Sequence, residues 1–294
     1  MAVVNLLDRS DPDPLKSFLD GASIEVMPRT AAKIEDFKPL LPAGTRIYIA
    51  HIEGTPIDEM IATARRLSAD GFAVMPHLPA RIIRDAAELD RWIGRYADEA
   101  GVTQALVLAG GVARPVGAFT DSMQLLETGL FQKHGYTRLH VAGHPEGNRD
   151  IDPDGSTANV DAALLRKQRF AEETGLDMAV ATQFAFDATP VIAWAERLAA
   201  MGVTLPIHVG VAGPAKLQTL IKFAIACGVG PSLGVLQKRT KDLTRLLKPF
   251  EPTEVLTALA LHKSEHPDSL IAGAHVFPLG GIGASTDWLA AQAD

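Results

Sequence analysis

With 294 residues, 47% of them apolar and 21% charged, the chain can bury one large core and has the composition of an ordinary globular protein. Its net charge of −7 and lack of any long basic run argue against nucleic-acid or anionic-membrane binding, since both need a cationic face. The single cysteine, Cys227, excludes an intrachain disulfide and a cysteine metal cage, and fits a reducing compartment.

The opening MAVVNLLDRSDPDPL has no cationic start followed by an apolar stretch, so it does not read as a signal peptide. No run of about 18 apolar residues predicts a membrane helix, and the expectation is a cytoplasmic protein. Short apolar runs then alternate with longer helical patterns. The first run is Ser23–Pro28, followed by Arg46–Ile52, Ala73–Leu78 and Gln104–Gly111. Arg138–Pro145, Met178–Asp187, Leu205–Gly213 and Ala274–Gly281 complete the set. They read as continuous apolar runs, the pattern of parallel strands covered on both faces.

Between the runs, Pro56–Asp70 sets Met60, Ile61, Ala64 and Leu67 at helical spacing, and Asp85–Glu99 does so with Leu89, Trp92, Ile93 and Tyr96. Gly71, Gly101, Gly135, Gly175, Gly202 and Gly228 mark helix ends. Eight strand-plus-helix units predict a single (β/α)8 TIM barrel over residues 1–294, with a doubly wound open sheet as the alternative. Gly228–Leu270 is longer than the other crossovers and predicts extra helices before the last strand. Its basic cluster of Lys238, Arg239, Lys241, Arg245 and Lys248 reads as a solvated helical face.

In a barrel of this kind chemistry is carried by strand C-termini and the loops after them. That directs attention to Glu25, His51, Glu53, His77, His144, Glu146 and Gln183. Glu25, among apolar strand residues, is costly to bury unpaired. It reads either as a structural ion pair with Arg29 or Arg46, or as a general acid whose pKa is raised by desolvation. Gln183 offers a donor and an acceptor to a heterocycle edge, or is a buried amide bonded to backbone. Phe184 and Phe186 form either an aromatic wall or core. His51, His77, His144 and His208 on different strands suggest a divalent-metal hydrolase. There is no His-x-His pair, however, and the last strand ends in Pro278-Leu-Gly-Gly281 without an aspartate, so no metal is expected. Gly110-Gly111 and Gly228–Gly234 lack the spacing of phosphate-cradling loops.

Taken in order, these segments match a known series. SIEVMP at Ser23–Pro28 resembles the SFEFFPP motif of methylenetetrahydrofolate reductases, and MPHL at Met75–Leu78 resembles their PHLT. AGHPE at Ala142–Glu146 resembles their (G/A)YPE, and ATQFAFD at Ala181–Asp187 their ITQFFFD. Phe223 and HVFPL at His275–Leu279 extend the likeness, which runs roughly from Ser23 to Leu289.

The resemblance implies a TIM-barrel NAD(P)H-dependent oxidoreductase of one-carbon metabolism and methionine biosynthesis. Such an enzyme interconverts 5,10-methylenetetrahydrofolate and 5-methyltetrahydrofolate by hydride transfer. It implies Glu25 as the acid that protonates N10 or stabilises the N5 iminium, and Gln183 as the pterin-binding amide. Phe184, Phe223, Gly111 and Lys216 join Gln183 on the substrate side, and His51, His77, Ala109, His144 and Asn148 fall on the cofactor side. The family normally carries FAD, and here the sequence departs from it. His51 stands for a threonine, Ala109-Gly110-Gly111 for Arg-Gly-Asp, and Asp121 for a tyrosine. His144 and Asn148 stand for a tyrosine and a histidine, and Ala163 and Phe170 lie near an expected aspartate and lysine. His77 is the clearest surviving match. A diphosphate needs donors and charge neutralisation, so these losses weaken the expectation of FAD and favour NADH or NADPH as direct hydride donor. The alternatives are a pterin- or folate-dependent methyltransferase barrel and a folate-binding protein without redox activity. The expected partner is a small tetrahydrofolate derivative, its tail carboxylates facing Lys216, Lys222 or Arg149, with no nucleic acid or membrane; a homo-oligomer is left open.

Overall fold

Eight parallel strands pair in chain order and close into a barrel. They are β1 (Ser23–Val26), β2 (Arg46–Ile49), β3 (Ala73–Pro79), β4 (Gln104–Leu108), β5 (Arg138–Gly143), β6 (Asp177–Ala185), β7 (Ile207–Ala212) and β8 (Ile271–Phe277). The computed structural model describes residues 13–227, 234, 236 and 249–293. The predicted (β/α)8 barrel is thus the observed fold. Its last strand starts at Ile271, three residues ahead of the predicted Ala274.

The helices follow the predicted pattern. In chain order they are α1 (Pro14–Leu19), α2 (Pro28–Ala31), α3 (Ile57–Ala69), α4 (Ala86–Ala100), α5 (Ser122–Leu126) and α6 (Leu130–Lys133). Then come α7 (Ala158–Thr174), α8 (Ala188–Ala200), α9 (Leu217–Ala226), α10 (Thr253–Glu265) and α11 (Ile282–Ala293). Helix α4 shows why the sequence folds this way. The Asp85 carboxylate caps it by accepting from the Glu88 N–H at 2.8 Å. Leu89, Trp92, Ile93 and Tyr96 are buried on one stripe, and Gly101, at φ 63°, ends the helix in the left-handed region. The crossover from β7 to β8 carries both α9 and α10, so an extra helix precedes the last strand. Gly228 and the basic cluster of Lys238, Arg239, Lys241, Arg245 and Lys248 lie outside the described residues. No described helix is long and apolar enough to cross a membrane.

The strands are not the continuous apolar runs expected from the sequence. Side chains alternate across a strand, and here the two faces differ. Ile24, Val26, Ile47, Ile49, Val107, Val141, Val209 and Val276 point outward into the main core beneath the helices. Tyr48, Met75, Leu106 and Ala181 form a separate small cluster on the inner face. The same inward alternation carries Ser23, Glu25, Arg46, His77, Gln104, Arg138, His140, His208 and His275. Barrel interiors are usually filled by branched apolar residues; this one is largely polar.

Candidate functional site

Glu25 lies at the C-terminal end of β1, with its side chain 18% exposed. Its Oε2 is 3.2 Å from Nε2 of His77 on β3 and 3.8 Å from Nε2 of His275 on β8. The closer approach is not aligned as a hydrogen bond, since His77 Nε2 is buried without a hydrogen-bond partner. The partners are therefore imidazoles, not Arg29 or Arg46. Arg46 instead donates through Nε to Gln104 Oε1 at 3.1 Å. Burial alone would raise the Glu25 pKa, but the two imidazoles outweigh it and push it down to about 2. Glu25 is thus a carboxylate in the free protein, which corrects the expectation of an acid kept neutral by desolvation.

His275 is fully buried, and burial lowers its pKa although Glu25 favours its charged form. Its Nδ1 hydrogen-bonds to Ser23 Oγ at 2.9 Å. Tyr48 packs its ring against His275, centroids 4.2 Å apart, and its hydroxyl hydrogen-bonds to His140 Nδ1 at 2.5 Å. Burial raises the Tyr48 pKa and pushes His140 down to about 2. His208 stacks on His140, with centroids 5.0 Å apart, and burial lowers it to about 4. Ser23 and His275 lie inside the matched segments without being assigned a role there, and Tyr48 and His140 lie outside them. The signal that finds most of them is alternation: SIEV, RIYI and RLHV each place a polar residue at every second position, and AHVF sets His275 between Ala274 and Val276.

Gln183 sits in a β-bulge. The register between β6 and β7 shifts between Ala181 and Phe184, which adds one residue to β6. The Thr182 hydroxyl donates to the Gln183 carbonyl at 2.8 Å and accepts the Gly210 N–H at 2.8 Å. Gln183 Oε1 accepts the Phe184 N–H at 3.1 Å, so the amide is anchored to backbone at one end. Gly210 makes the bulge possible, because a Cβ there would lie 2.4 Å from the Thr182 carbonyl oxygen and 2.8 Å from the Gln183 carbonyl carbon. Gly210→Ala is expected to cost about 1–3 kcal/mol through overpacking. A lowered urea midpoint checks this; an unchanged midpoint would mean the bulge relaxes freely.

The other predicted residues divide. His51 is buried at the end of β2, with Nε2 facing the Thr55 carbonyl at 3.0 Å and its ring against Trp92. Phe184 is buried in a satellite core with Phe186 and Phe250, which favours the packing reading over an aromatic wall. Phe223 is 37% exposed on α9, and Gly111 and Lys216 are exposed. Ala109 accepts the Arg81 N–H at 2.9 Å through its carbonyl. Asn148 Oδ1 accepts the Asp150 N–H at 2.9 Å within its own turn. Burial, then the nearby Lys167, holds His144 down to about 4.

Lys167 itself was not among the motif matches. It lies on the buried stripe of α7 with Val160, Leu164 and Gln168, a position helical spacing could have revealed. Its Nζ is 3.4 Å from the Ala142 carbonyl, and burial lowers its pKa to about 8. Lys167 thus stands one turn before Phe170, which packs on the main core. Among the described residues no group of three His, Cys, Asp or Glu side chains could hold a metal ion. A hollow of about 370 Å³ at the N-terminal ends of β3 and β4 is lined by Ser68, Phe72 and Gln104 among others and has no titratable side chain.

No protein-family model matches the sequence. Among solved structures, the chain is similar to an uncharacterized protein from Clostridium thermocellum that binds two copies of 5-methyl-5,6,7,8-tetrahydrofolic acid. The TM-score is 0.60 at 11% identity, over 95% of this chain and 96% of that one. A D-hydantoinase is more distant, with a TM-score of 0.40 at 10% identity over 79% of this chain and 50% of that one. The first likeness shows a common fold along nearly the whole of both chains.

Proposed function

We propose that the chain binds a reduced folate at the C-terminal mouth of the barrel and interconverts 5,10-methylenetetrahydrofolate and 5-methyltetrahydrofolate, as methylenetetrahydrofolate reductases do. The observation that carries this reading is Glu25, an ionised carboxylate at a strand C-terminus with imidazoles 3.2 and 3.8 Å away. The folate bound by the structural neighbour supports the ligand class. When the five-membered ring of the substrate opens, N5 becomes part of an iminium cation and N10 must gain a proton. A carboxylate stabilises the cation, and a proton held by Glu25 and His275 together serves N10. Hydride from a nicotinamide then reaches the methylene carbon and completes the methyl group, with the reacting atoms at ~3–3.5 Å. Gln183, anchored through Oε1, turns its Nε2 donor to the pterin.

The fate of the flavin-contact positions supports a nicotinamide acting without FAD. His51 faces a backbone carbonyl, Asn148 is used in its own turn, and Asp121 caps α5 by accepting from Met123 and Gln124. These groups do not fit a flavin diphosphate and ribityl chain, and no step is derived through one. A yellow protein with stoichiometric FAD would overturn this part of the reading. The test is NADH oxidation dependent on methylenetetrahydrofolate, measured with and without added FAD. Turnover without FAD, by a sequential mechanism, is expected; ping-pong kinetics that require FAD would reject direct transfer. Folate binding with no turnover would favour the binding-only reading.

Gln183→Ala is expected to weaken folate binding by ~1–3 kcal/mol, because the pterin groups it meets are left unpaired. The KM for NADH should change much less. Unchanged folate affinity with lowered stability would make Gln183 a structural amide of the bulge.

A further inference from the structure

The loop between β4 and α5, residues 109–121, leaves the C-terminal face of the barrel and contains no helix or strand. It carries Ala109 and Gly111 where the resemblance would put charged side chains, so at these positions only its backbone can meet a ligand. A backbone wall is useful only when it is held in place, and ordering an exposed loop costs entropy. Gly111, Ala113, Arg114 and Val116 are all exposed.

Arg81 is the anchor of this loop. It stands in the 3-10 turn Ala80–Ile82, directly after β3. Its N–H donates to the Ala109 carbonyl at 2.9 Å, and its carbonyl accepts the Val116 N–H at 2.9 Å. Its guanidinium donates through Nε to the Thr120 carbonyl at 3.0 Å and through Nη1 to the Val112 carbonyl at 3.3 Å. Val112 and Thr120 lie on opposite limbs of the loop, so the rigid fork of one side chain closes its base. Glycine permits the fit at two points. Gly110 has φ 90°, and a Cβ on it would lie 2.9 Å from the Pro79 Cβ. At Gly117 a Cβ would lie 1.9 Å from the Arg84 carbonyl oxygen, which also accepts the Ala118 N–H at 2.9 Å.

We propose that Arg81 is a positioning residue for the folate: it pins the β4–α5 loop so that the Gly110–Gly111 backbone forms one wall of the mouth. Both of its side-chain partners are carbonyls of the loop itself. Its work is therefore to fix backbone, and its effect on the ligand passes through the loop. A loop clamp with no part in binding would leave folate affinity untouched when cut. A wall-forming loop would lose affinity as it loses order, because each binding event must then order it again.

The inference rests on folate binding at the mouth, and the experiment separates the two. Two quantities are measured on the full chain: the affinity for 5-methyltetrahydrofolate by calorimetry, and hydrogen exchange at the Val116 and Ala118 amides in the absence of ligand. Arg81→Ala is expected to speed exchange at both amides roughly tenfold or more. It should also weaken folate binding at least about tenfold. Gly117→Ala keeps the guanidinium but pushes the loop off Arg84, and it should show the same pair of changes. If Arg81→Ala frees the amides and folate affinity is unchanged, Arg81 is a loop clamp only and the proposal is overturned. Unchanged exchange in Arg81→Ala overturns it as well, because the loop then holds without the fork. If Arg81→Ala weakens binding and Gly117→Ala does not, the guanidinium acts by its charge and not through the loop, which also overturns it. A wild type that binds no 5-methyltetrahydrofolate sinks the folate reading and this inference with it. Should Arg81→Ala not fold by circular dichroism, Arg81→Lys takes its place, since a lysine keeps the charge but cannot bridge both carbonyls as the fork does.

Discussion

Glu25→Gln is expected to reduce turnover by roughly 10²-fold or more, the usual scale for a lost acid–base group. Glutamine keeps the shape of the side chain but loses both the charge and the exchangeable carboxyl proton. The iminium then lacks its counter-charge and N10 lacks its proton source, so the loss should fall mainly on kcat. The fold should survive. The imidazoles that hold the Glu25 pKa at about 2 favour its ionised form, so removing the charge is expected to lower the melting temperature. A purely structural ion pair shares that loss of stability but leaves turnover intact in the folded fraction, so kcat decides between them. The pH profile of kcat/KM adds a check. With its pKa near 2, Glu25 in the free protein should show no titration between pH 5 and 8. An ascending limb of kcat/KM near pH 5 that disappears in Glu25→Gln would contradict the ionised state described above.

Much of this was legible in the sequence, for physical reasons that differ from place to place. The barrel was legible because each helix must bury one stripe, so α3 and α4 could be read from Met60, Leu67, Leu89 and Trp92. Glycines with positive φ ended helices where expected, as at Gly71, Gly101, Gly135, Gly175 and Gly202. Glu25 and His77 were legible because ordered motifs fall at strand ends, and the structure brings the two together. Their mutual electrostatics were not, since a sequence does not say that an imidazole rather than an arginine meets a carboxylate. The polar interior escaped because strands in a barrel are expected to be apolar on both faces. Arg46, Tyr48, Arg138 and His140 sit between branched residues, and the flanking Ile47, Ile49, Leu139 and Val141 dominate the impression of the run. Lys167 escaped because the family's lysine falls near Phe170 in sequence, whereas the helix turns Lys167, three residues earlier, inward. The bulge at Gln183 has no local signature; it depends on Gly210 of the neighbouring strand.

Mild acid is expected to destabilise the protein well above the range in which carboxylates titrate. The cause is the buried imidazoles. His140 has an ordinary value of 6.5 when unfolded and about 2 when folded, because burial disfavours its charged form. Below pH 6.5 the unfolded chain therefore binds a proton that the folded chain refuses. The stability of the neutral state is complete above 6.5 and is lost as pH falls toward 2. At pH 5 the loss from His140 alone is about 2 kcal/mol, at ~1.4 kcal/mol per pH unit. His208 and His144, held to about 4 mainly by burial, act in the same direction until that value is passed. Glu25 adds its own loss only below about 4.5, where the unfolded carboxylate begins to protonate. Total stability is typically only about 5–15 kcal/mol, so the histidines alone remove a large share of it before any carboxylate contributes. Urea midpoints at pH 7.5, 6 and 5 measure the slope directly. His140→Gln, which keeps a polar partner for the Tyr48 hydroxyl, is expected to be less stable at pH 7.5 but to lose less between pH 6.5 and 5. Equal wild-type midpoints at pH 7.5 and 5 would mean that the interior imidazoles protonate without unfolding the barrel.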